Sequence, residues 1–360
     1  MDLGIIGLER SGKTTLFDAV TRGHASAGSF ASAEPNIGVV KIQDGRLDRL
    51  SEVLKPAKIT YAEARYLDFP GGLAVRGEGP SAAYMSSLAQ CDALVHVVRA
   101  FRSDSVPHPQ DSIDPNRDIE AVNLELAFAD VAMLKNIDTR LTTAARSERA
   151  GDRDSRELGL VQRLRAALEQ EQPIRAQEIS PEERKLTNGY QLLTDKPLLI
   201  VLNIDEADIE QSGQIEADSA ERWRGPGVEV AALSSKIEQE LTELSDEEAA
   251  EFRQDMGLEA GGIERVLRLA HQVLGLISIF TVGDTEGRAW SVRAGSTAPQ
   301  VGGKIHSDIE RGFIRAEVIG WEEMVESGSW SEARKRGVLR TEGKQYIPQD
   351  GDLMHVLFNV

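Results

Sequence analysis

The stretch Gly7-Leu8-Glu9-Arg10-Ser11-Gly12-Lys13-Thr14 matches every fixed position of the pattern G-x-x-x-x-G-K-[ST]. A short apolar run, Leu3-Gly4-Ile5-Ile6, precedes it, and residues 14–20 carry apolar side chains at helical spacing. A glycine loop between a strand and a helix directs backbone N–H groups and the positive end of the helix at a phosphate. The sequence therefore predicts a nucleoside triphosphate site formed by Gly7, Arg10, Ser11, Gly12, Lys13, Thr14 and Thr15.

Two motifs predict how the phosphates and a magnesium ion are held. We expect Lys13 to bridge the β- and γ-phosphates and Thr14 to ligate Mg²⁺. The segment Asp68-Phe69-Pro70-Gly71 follows a predicted strand at 64–67 and has the Asp-x-x-Gly form of a GTPase switch II element. We expect Asp68 to act on Mg²⁺ and the Gly71 N–H to meet the γ-phosphate.

The spacing of apolar runs predicts an α/β nucleotide-binding domain with a doubly wound, mostly parallel sheet. Near-continuous Val/Ile/Leu runs between helical stretches are typical of strands covered on both faces. The predicted strands are residues 64–67, 93–98, 197–202 and 228–233.

Two other parts of the chain have a different pattern. Residues 118–175 are charged and proline-poor, with a polar break at 151–154, and predict an antiparallel helical hairpin inserted into the α/β domain. Short strands at 277–282, 290–292, 313–318 and 353–358 predict a small α+β domain. The expected boundaries are 1–120 and 191–275 for the nucleotide-binding domain, 121–190 for the hairpin and 276–360 for the last domain.

Composition excludes several classes of protein. The 360 residues are 41% hydrophobic and 28% charged, and no apolar run approaches the roughly 18 residues that a membrane span needs. The N-terminal residues lack a signal peptide, so we expect a cytoplasmic protein without a membrane partner. The net charge of −18 argues against binding nucleic acid over the whole surface, and no DNA partner is expected.

Local features leave two smaller predictions. The single cysteine, Cys91, cannot form an internal disulfide, and its apolar setting predicts a buried core thiol. The basic cluster Arg334-Lys335-Arg336 is a candidate RNA contact, although a charge run is equally compatible with a solvated face.

Four further stretches resemble the YchF-type Obg-like ATPases. They are Glu34-Pro35-Asn36-Ile37-Gly38-Val39-Val40, Gly77-Glu78-Gly79, Gly312-Phe313-Ile314-Arg315-Ala316-Glu317, and the ending at residues 350–360. The resemblance runs over nearly the whole chain and implies that the C-terminal α+β domain is a ubiquitin-like TGS domain. It also implies a nucleotide-switched ATPase or GTPase whose partners include the ribosome or ribosomal RNA.

The resemblance also implies a metal ligand and a base-recognition site. By position, Ser32 takes the place of the switch I hydroxyl that coordinates Mg²⁺, and Ser234 lies in the loop that would back the base. The segment Asn203-Ile204-Asp205-Glu206 occupies the position where guanine-specific relatives carry Asn-Lys-x-Asp. Glu206 is one methylene longer than the aspartate that pairs with guanine, so we predict ATP over GTP. The neighbouring Asp205 keeps GTP open as an alternative.

The residue that follows Asp-x-x-Gly bears on which side chain could orient the attacking water. Gly72 stands where Ras-like enzymes place the glutamine that orients water, so no side chain there can do this work. The resemblance implies a loop histidine instead, and His108 holds that position between Pro107 and Pro109, which differ from the family pattern. A neutral imidazole can orient or deprotonate water near neutral pH. The alternative is a solvated loop histidine without a catalytic role.

Arg10 is a second departure from the family pattern, in which an asparagine supports a K⁺ ion beside the phosphates. Our hypothesis is that the Arg10 guanidinium replaces K⁺, as arginine fingers stabilise charge on a transferring phosphoryl group. The alternative is that Arg10 points to solvent.

The sequence suggests three candidate functions. The first is an enzyme whose slow ATP hydrolysis toggles its switch segments. The second is a binding scaffold that senses nucleotide and hardly hydrolyses it, because Gly72 and the altered loops leave the chemistry weak. A small-molecule kinase is disfavoured, because it would need an acceptor site and a lid.

Overall fold

The computed structural model describes residues 1–23, 35–71, 73, 81–145, 152–187, 189–256 and 261–359. Contacts divide the chain into two compact units. The first contains residues 1–40 and 65–273, and the second contains residues 41–64 and 274–360. Residues 41–64, which the sequence placed in the segment 1–120, therefore pack with the C-terminal part of the chain.

The first unit is built on a six-stranded sheet in the order β2-β4-β1-β5-β6-β7. Its strands are β1 (Asp2–Ile6), β2 (Asn36–Ile42), β4 (Ala62–Asp68), β5 (Ala93–Ala100), β6 (Leu198–Ile204) and β7 (Val228–Leu233). Strand β1 pairs in parallel with β4 and β5, and β5, β6 and β7 also pair in parallel. The predicted parallel sheet is thus confirmed, and the carboxyl ends of these strands share one edge.

Helices cover this sheet because its strands are apolar on both faces, and β6 is buried at every position. The helices of this unit outside residues 115–168 are α1 (Lys13–Thr21), α3 (Ala82–Ala89), α6 (Pro181–Thr187), α7 (Ser212–Trp223), α8 (Ser235–Leu241), α9 (Asp246–Asp255) and α10 (Gly262–Val273). Short 3-10 helices lie at Ile174–Ala176, Leu193–Asp195 and Glu206–Gln211. Cys91 is buried and unbridged, and burial raises the pKa of its thiol to about 11.

The predicted helical hairpin is present as α4 (Pro115–Ala145) and α5 (Asp152–Leu168). Facing apolar side chains hold the two helices together, among them Leu134, Leu141, Leu160 and Leu164. An ion pair of 2.6 Å between Asp138 and Arg165 joins them as well. Helix α4 begins six residues before the expected boundary at 121, and the predicted break lies partly outside the described residues.

The second unit holds the other six-stranded sheet, in the order β11-β10-β12-β8-β9-β3. Its strands are β3 (Ile59–Thr60), β8 (Leu276–Val282), β9 (Gly287–Arg293), β10 (Phe313–Gly320), β11 (Arg340–Glu342) and β12 (Asp352–Phe358). Its helices are α2 (Gly45–Leu54), α11 (Ala298–Ile305), α12 (Ser307–Arg311), α13 (Trp321–Ser327) and α14 (Trp330–Arg336). The predicted α+β class of this part is confirmed.

Helix α2 belongs to this second unit because its apolar face has a core to cover there. Leu47 and Leu50 are fully buried against Phe280, Ile319 and Met324. Strand β3 follows the helix and pairs in parallel with β9, which adds a strand to the sheet edge. No described helix has the length and apolar composition that crossing a membrane requires.

Candidate nucleotide-binding site

The loop from Gly7 to Lys13 has a backbone that requires glycine at two positions. Gly7 and Gly12 have φ angles of 149° and 95°, values that other residues rarely adopt. A Cβ on Gly12 would lie 2.1 Å from Asn203 Nδ2, and one on Gly7 would lie 2.3 Å from the Val97 carbonyl oxygen. The loop therefore lies against Val97 of β5 and Asn203 of β6.

Lys13 reaches back across this loop. Its buried ammonium donates hydrogen bonds to the carbonyl oxygens of Leu8 at 2.7 Å and Gly7 at 3.2 Å. Burial lowers the pKa of Lys13 to about 8, against the opposing charges of Asp68 and Glu9. A cation that is buried from water in a loop of this kind is suited to bind a phosphate.

Thr14 and Asp68 form the pair expected of a magnesium site. Thr14 Oγ1 donates to Asp68 Oδ2 at 3.0 Å, at the point where β4 ends beside β1. Asp68 is 2% exposed, and its Oδ1 has no hydrogen-bond partner within the described parts of the chain. Burial raises the pKa of Asp68, against the Thr14 hydrogen bond and the Lys13 charge. Oxygen ligands of this type fit Mg²⁺.

The remaining predicted phosphate-site residues are placed only in part. Gly71 has a φ of 86°, and the Leu73 N–H donates to the Gly7 carbonyl oxygen at 3.1 Å, which joins the Asp-x-x-Gly segment to the loop. Ser11 is buried and Thr15 lies in the first turn of α1. Ser32, Gly72 and the segment 77–79 lie outside the described residues.

Asn203 connects the phosphate loop to the loop after β7. Its Nδ2 donates to the Ser11 carbonyl oxygen at 3.0 Å, and its Oδ1 accepts from the Ser235 N–H at 2.9 Å. Asn203 and Ser234 are both buried. The two predicted base-site loops are therefore joined by one amide side chain.

The two carboxylates after Asn203 have different surroundings. Asp205 accepts hydrogen bonds from the backbone N–H groups of Arg102 at 3.2 Å and Ala207 at 3.4 Å, and so caps the 3-10 helix at Glu206–Gln211. Glu206 is half exposed and forms an ion pair with Lys236, with 3.6 Å between carboxylate oxygen and Nζ.

His108 is buried, contrary to the alternative of a solvated loop histidine. Its Nε2 lies 2.9 Å from Asp118 Oδ2, and its Nδ1 accepts a hydrogen bond from the Gln110 N–H at 3.1 Å. Asp118 is not among the residues predicted from the sequence. The one signal for it was an acidic residue at the start of a predicted helix, which is common and says nothing about a histidine partner.

Arg10 lies at the surface and contacts the loop that carries His108. Its guanidinium donates to the Pro107 carbonyl oxygen at 3.2 Å. The guanidinium of Arg99, at the end of β5, donates to the Val106 carbonyl oxygen at 2.7 Å. The structure thus brings Arg10 and His108 together through backbone, which neither motif indicated.

The basic cluster at 334–336 is neutralised within its own unit. Arg334 pairs with Glu317, Lys335 with Glu332 and Arg336 with Glu326. These partners weaken the case for an RNA contact at this cluster.

Comparison with known proteins assigns the family. The family model YchF-GTPase_C, described as a protein of unknown function (DUF933), matches residues 276–359. The ribosome-binding ATPase YchF of Bacillus subtilis is 38% identical over 364 residues, and that of Haemophilus influenzae is 39% identical over 362 residues. Each alignment covers 99% of this chain and 99% of the relative.

A solved structure agrees with these sequence relatives. The Schizosaccharomyces pombe YchF GTPase superposes with a TM-score of 0.84 at 27% identity, covering 99% of this chain and 97% of that one. The resemblance noted in the sequence and its predicted fold are confirmed. The chain is therefore a P-loop nucleoside triphosphatase that belongs to the YchF family.

Proposed function

We propose that this protein is a Mg²⁺-dependent triphosphatase that prefers ATP to GTP and acts as a nucleotide-controlled switch. The observation that carries the proposal is the pair formed by Thr14 and Asp68 directly beside the buried Lys13. A hydroxyl, a carboxylate and an ammonium at the mouth of a glycine loop form the arrangement that phosphoryl transfer uses.

Each residue of the phosphate site has a proposed task. The backbone N–H groups from Gly7 to Thr14 and the Lys13 ammonium bind the phosphate oxygens. Thr14 and Asp68 would hold Mg²⁺, with Ser32 as a further ligand from switch I. When bound, Mg²⁺ supplies positive charge that offsets the charge of the phosphate oxygens.

The preference for ATP is supported by the hydrogen bonds and the ion pair that the two carboxylates at the base site already form. Both oxygens of Asp205 accept backbone N–H groups, so reading guanine would require giving up these bonds. Glu206 is paired with Lys236, and its longer side chain does not match the bidentate geometry that guanine needs. These contacts weaken the alternative that Asp205 reads GTP.

His108 is proposed to orient or deprotonate the attacking water, because Gly72 has no side chain for this task. Arg10 is proposed to supply the charge that K⁺ supplies beside the phosphates in relatives. Hydrolysis by the wild type is then expected to be the same in K⁺ and in Na⁺. A rise of severalfold when K⁺ replaces Na⁺ would show that an ion, and not Arg10, has this role.

Binding measurements test the nucleotide part of the proposal. Titration calorimetry of the full chain with non-hydrolysable ATP and GTP analogues, each with Mg²⁺ and with a chelator, gives four dissociation constants. We expect the tightest binding for the ATP analogue with Mg²⁺. Equal or tighter binding of the GTP analogue would refute the ATP preference, and unchanged affinity without Mg²⁺ would refute the metal site.

The bacterial relatives are named ribosome-binding ATPases, which supports a ribosomal partner for this chain in the cytoplasm. Co-sedimentation with ribosomes in ATP analogue, ADP and nucleotide-free conditions tests this proposal. We expect more bound protein in one nucleotide state than in the others. Absence from the ribosome fraction in all three states would contradict it.

One observation favours the second candidate, a nucleotide-sensing scaffold with little hydrolysis. Both ring nitrogens of His108 are engaged by protein groups, which leaves neither nitrogen for a water. The scaffold predicts nucleotide-dependent partner binding without steady phosphate release. The enzyme predicts repeated turnover with Mg²⁺, so a multiple-turnover assay separates the two.

A further inference from the structure

The ring of His108 is held at both nitrogens. The Gln110 N–H donates to Nδ1 at 3.1 Å, which makes Nδ1 the acceptor of the imidazole and assigns the ring proton to Nε2. Nε2 then donates to Asp118 Oδ2 at 2.9 Å. The two side chains are only 5% and 3% exposed. In this position the imidazole has no free lone pair with which to accept a proton from water.

Asp118 is itself fixed on its other side. Its Oδ1 accepts hydrogen bonds from Arg117 Nε at 3.1 Å and from the terminal guanidinium nitrogen at 2.9 Å. The Arg117 guanidinium also donates to the hydroxyl and the carbonyl oxygen of Ser112, both at 2.7 Å. The first turn of α4 therefore holds Oδ2 steady as an acceptor for His108.

The chain just before His108 is attached to the phosphate loop. Arg10 donates to the Pro107 carbonyl oxygen at 3.2 Å, and Arg99 donates to the Val106 carbonyl oxygen at 2.7 Å. Arg10 belongs to the predicted phosphate-binding loop, so this hydrogen bond joins that loop to the residue next to His108. The contact gives the nucleotide site a direct route to the histidine.

We propose that Asp118 is a positioning residue that latches His108 away from the reacting water, so that hydrolysis requires the Nε2–Oδ2 hydrogen bond to break. This inference rests on the proposed role of His108 in hydrolysis. Asp118 lowers the fraction of molecules in which His108 can act, and a change at Arg10 on nucleotide binding releases it. The latch thus lowers kcat, and because nucleotide binding and the latch oppose each other, it also weakens nucleotide affinity.

Chemical modification of the full-length protein tests the latch without reference to activity. Diethyl pyrocarbonate acylates accessible neutral imidazoles, and mass spectrometry gives the rate at each histidine. The exposed His306 and the fully buried His96 serve as internal references for fast and slow modification. In the wild type we expect His108 to react slowly, as His96 does.

Two variants of Asp118 weaken its hydrogen bond with His108 to different extents. Asp118→Ala removes the acceptor, and Asp118→Asn keeps its shape but replaces a charged acceptor by a weaker neutral one. We expect modification of His108 to be faster by about tenfold or more in Asp118→Ala, and by less in Asp118→Asn. Glu120→Ala is the matched control, because it removes a carboxylate from the same helix that pairs with Arg222, and it should leave the His108 rate unchanged.

ATP turnover of the same variants completes the test. We expect kcat to rise and ATP to bind more tightly in both Asp118 variants. The rise in kcat should vanish when His108→Ala is added. If Asp118→Ala does not fold, Asp118→Asn carries the test alone. Wild-type His108 reacting as fast as His306, or a kcat that falls while His108 becomes reactive, would overturn the latch. Full activity of His108→Ala would instead refute the proposed role of His108 in hydrolysis. The modification rates of His108 in the wild type and the Asp118 variants would not be affected by that result.

Discussion

At the scale of single residues, burial lowers the pKa of Lys13, the side chain proposed to bind phosphate. Burial brings the pKa of its ammonium down to about 8 in the nucleotide-free protein, and a bound phosphate favours the charged form. Binding therefore takes up a proton once the pH exceeds about 8, and affinity must fall as the pH rises through this value.

This linkage gives a prediction for nucleotide affinity. Between pH 7.5 and 9.5 we expect the dissociation constant of an ATP analogue to rise by up to about tenfold per pH unit above pH 8 in the wild type. In Lys13→Met the affinity should be weak and nearly independent of pH in this range. Titration calorimetry at each pH measures both, and equal pH dependence in the two proteins would exclude Lys13 as the titrating group.

Glu206 is the residue on which the base preference depends. Glu206→Asp restores the shorter carboxylate that guanine recognition uses, so we expect the ratio of GTP to ATP affinity to rise by about tenfold or more. Glu210→Asp, a nearby exposed position with the same chemical change, should leave the ratio as it is. Competition binding with labelled ATP gives the ratio. No change in Glu206→Asp would place base selection elsewhere.

At the scale of elements, the site is held together by the side chain of Asn203, which links the phosphate loop after β1 to the start of α8. Asn203→Ala leaves a buried carbonyl and a buried N–H without partners. We expect the free energy of unfolding to fall by about 2 to 4 kcal/mol and the affinities for ATP and GTP to fall together.

Urea denaturation and nucleotide titration of Asn203→Ala check this prediction. Asn116→Ala is the control, because it removes a single hydrogen bond to the partly exposed Trp223 and should cost about 1 kcal/mol or less. A selective loss of only one nucleotide in Asn203→Ala would show that Asn203 reads the base and does not mainly join the loops.

Several elements could be predicted because local sequence determines them. The motif at 7–14 requires a strand, a turn and a helix, and the apolar runs at 93–98 and 228–233 have the short length that favours buried strands over helices. The pairing of His108 with Asp118 could not be predicted, because no local pattern tells which way a side chain turns in a loop. The contact between Arg10 and Pro107 could not be predicted for the same reason.

At the scale of the whole molecule, the C-terminal unit is assembled from two separate segments of the chain. Leu47, Leu50 and Leu54 have the spacing of an apolar helix face, but the sequence does not say which sheet this face covers. The structure places it on the C-terminal sheet. The pattern of apolar residues therefore could not assign residues 41–64 to the C-terminal unit.

This arrangement predicts the outcome of a truncation. A chain that ends at Val273 loses the sheet that covers Leu47 and Leu50, so we expect a lower soluble yield and aggregation on warming. Adding Leu47→Gln and Leu50→Gln to the truncated chain should recover much of the soluble protein. A truncated chain as soluble and heat-resistant as the full protein would contradict the two-segment unit.

The whole protein is proposed to be a Mg²⁺-dependent ATPase that uses His108. The most direct measurement is phosphate release from ATP and GTP, with Mg²⁺ and with a chelator, for the wild type and His108→Ala. We predict multiple turnovers with ATP and Mg²⁺, slower release with GTP, and loss of most activity in His108→Ala without loss of ATP affinity. Faster release from GTP, or full activity in the variant, would contradict the account.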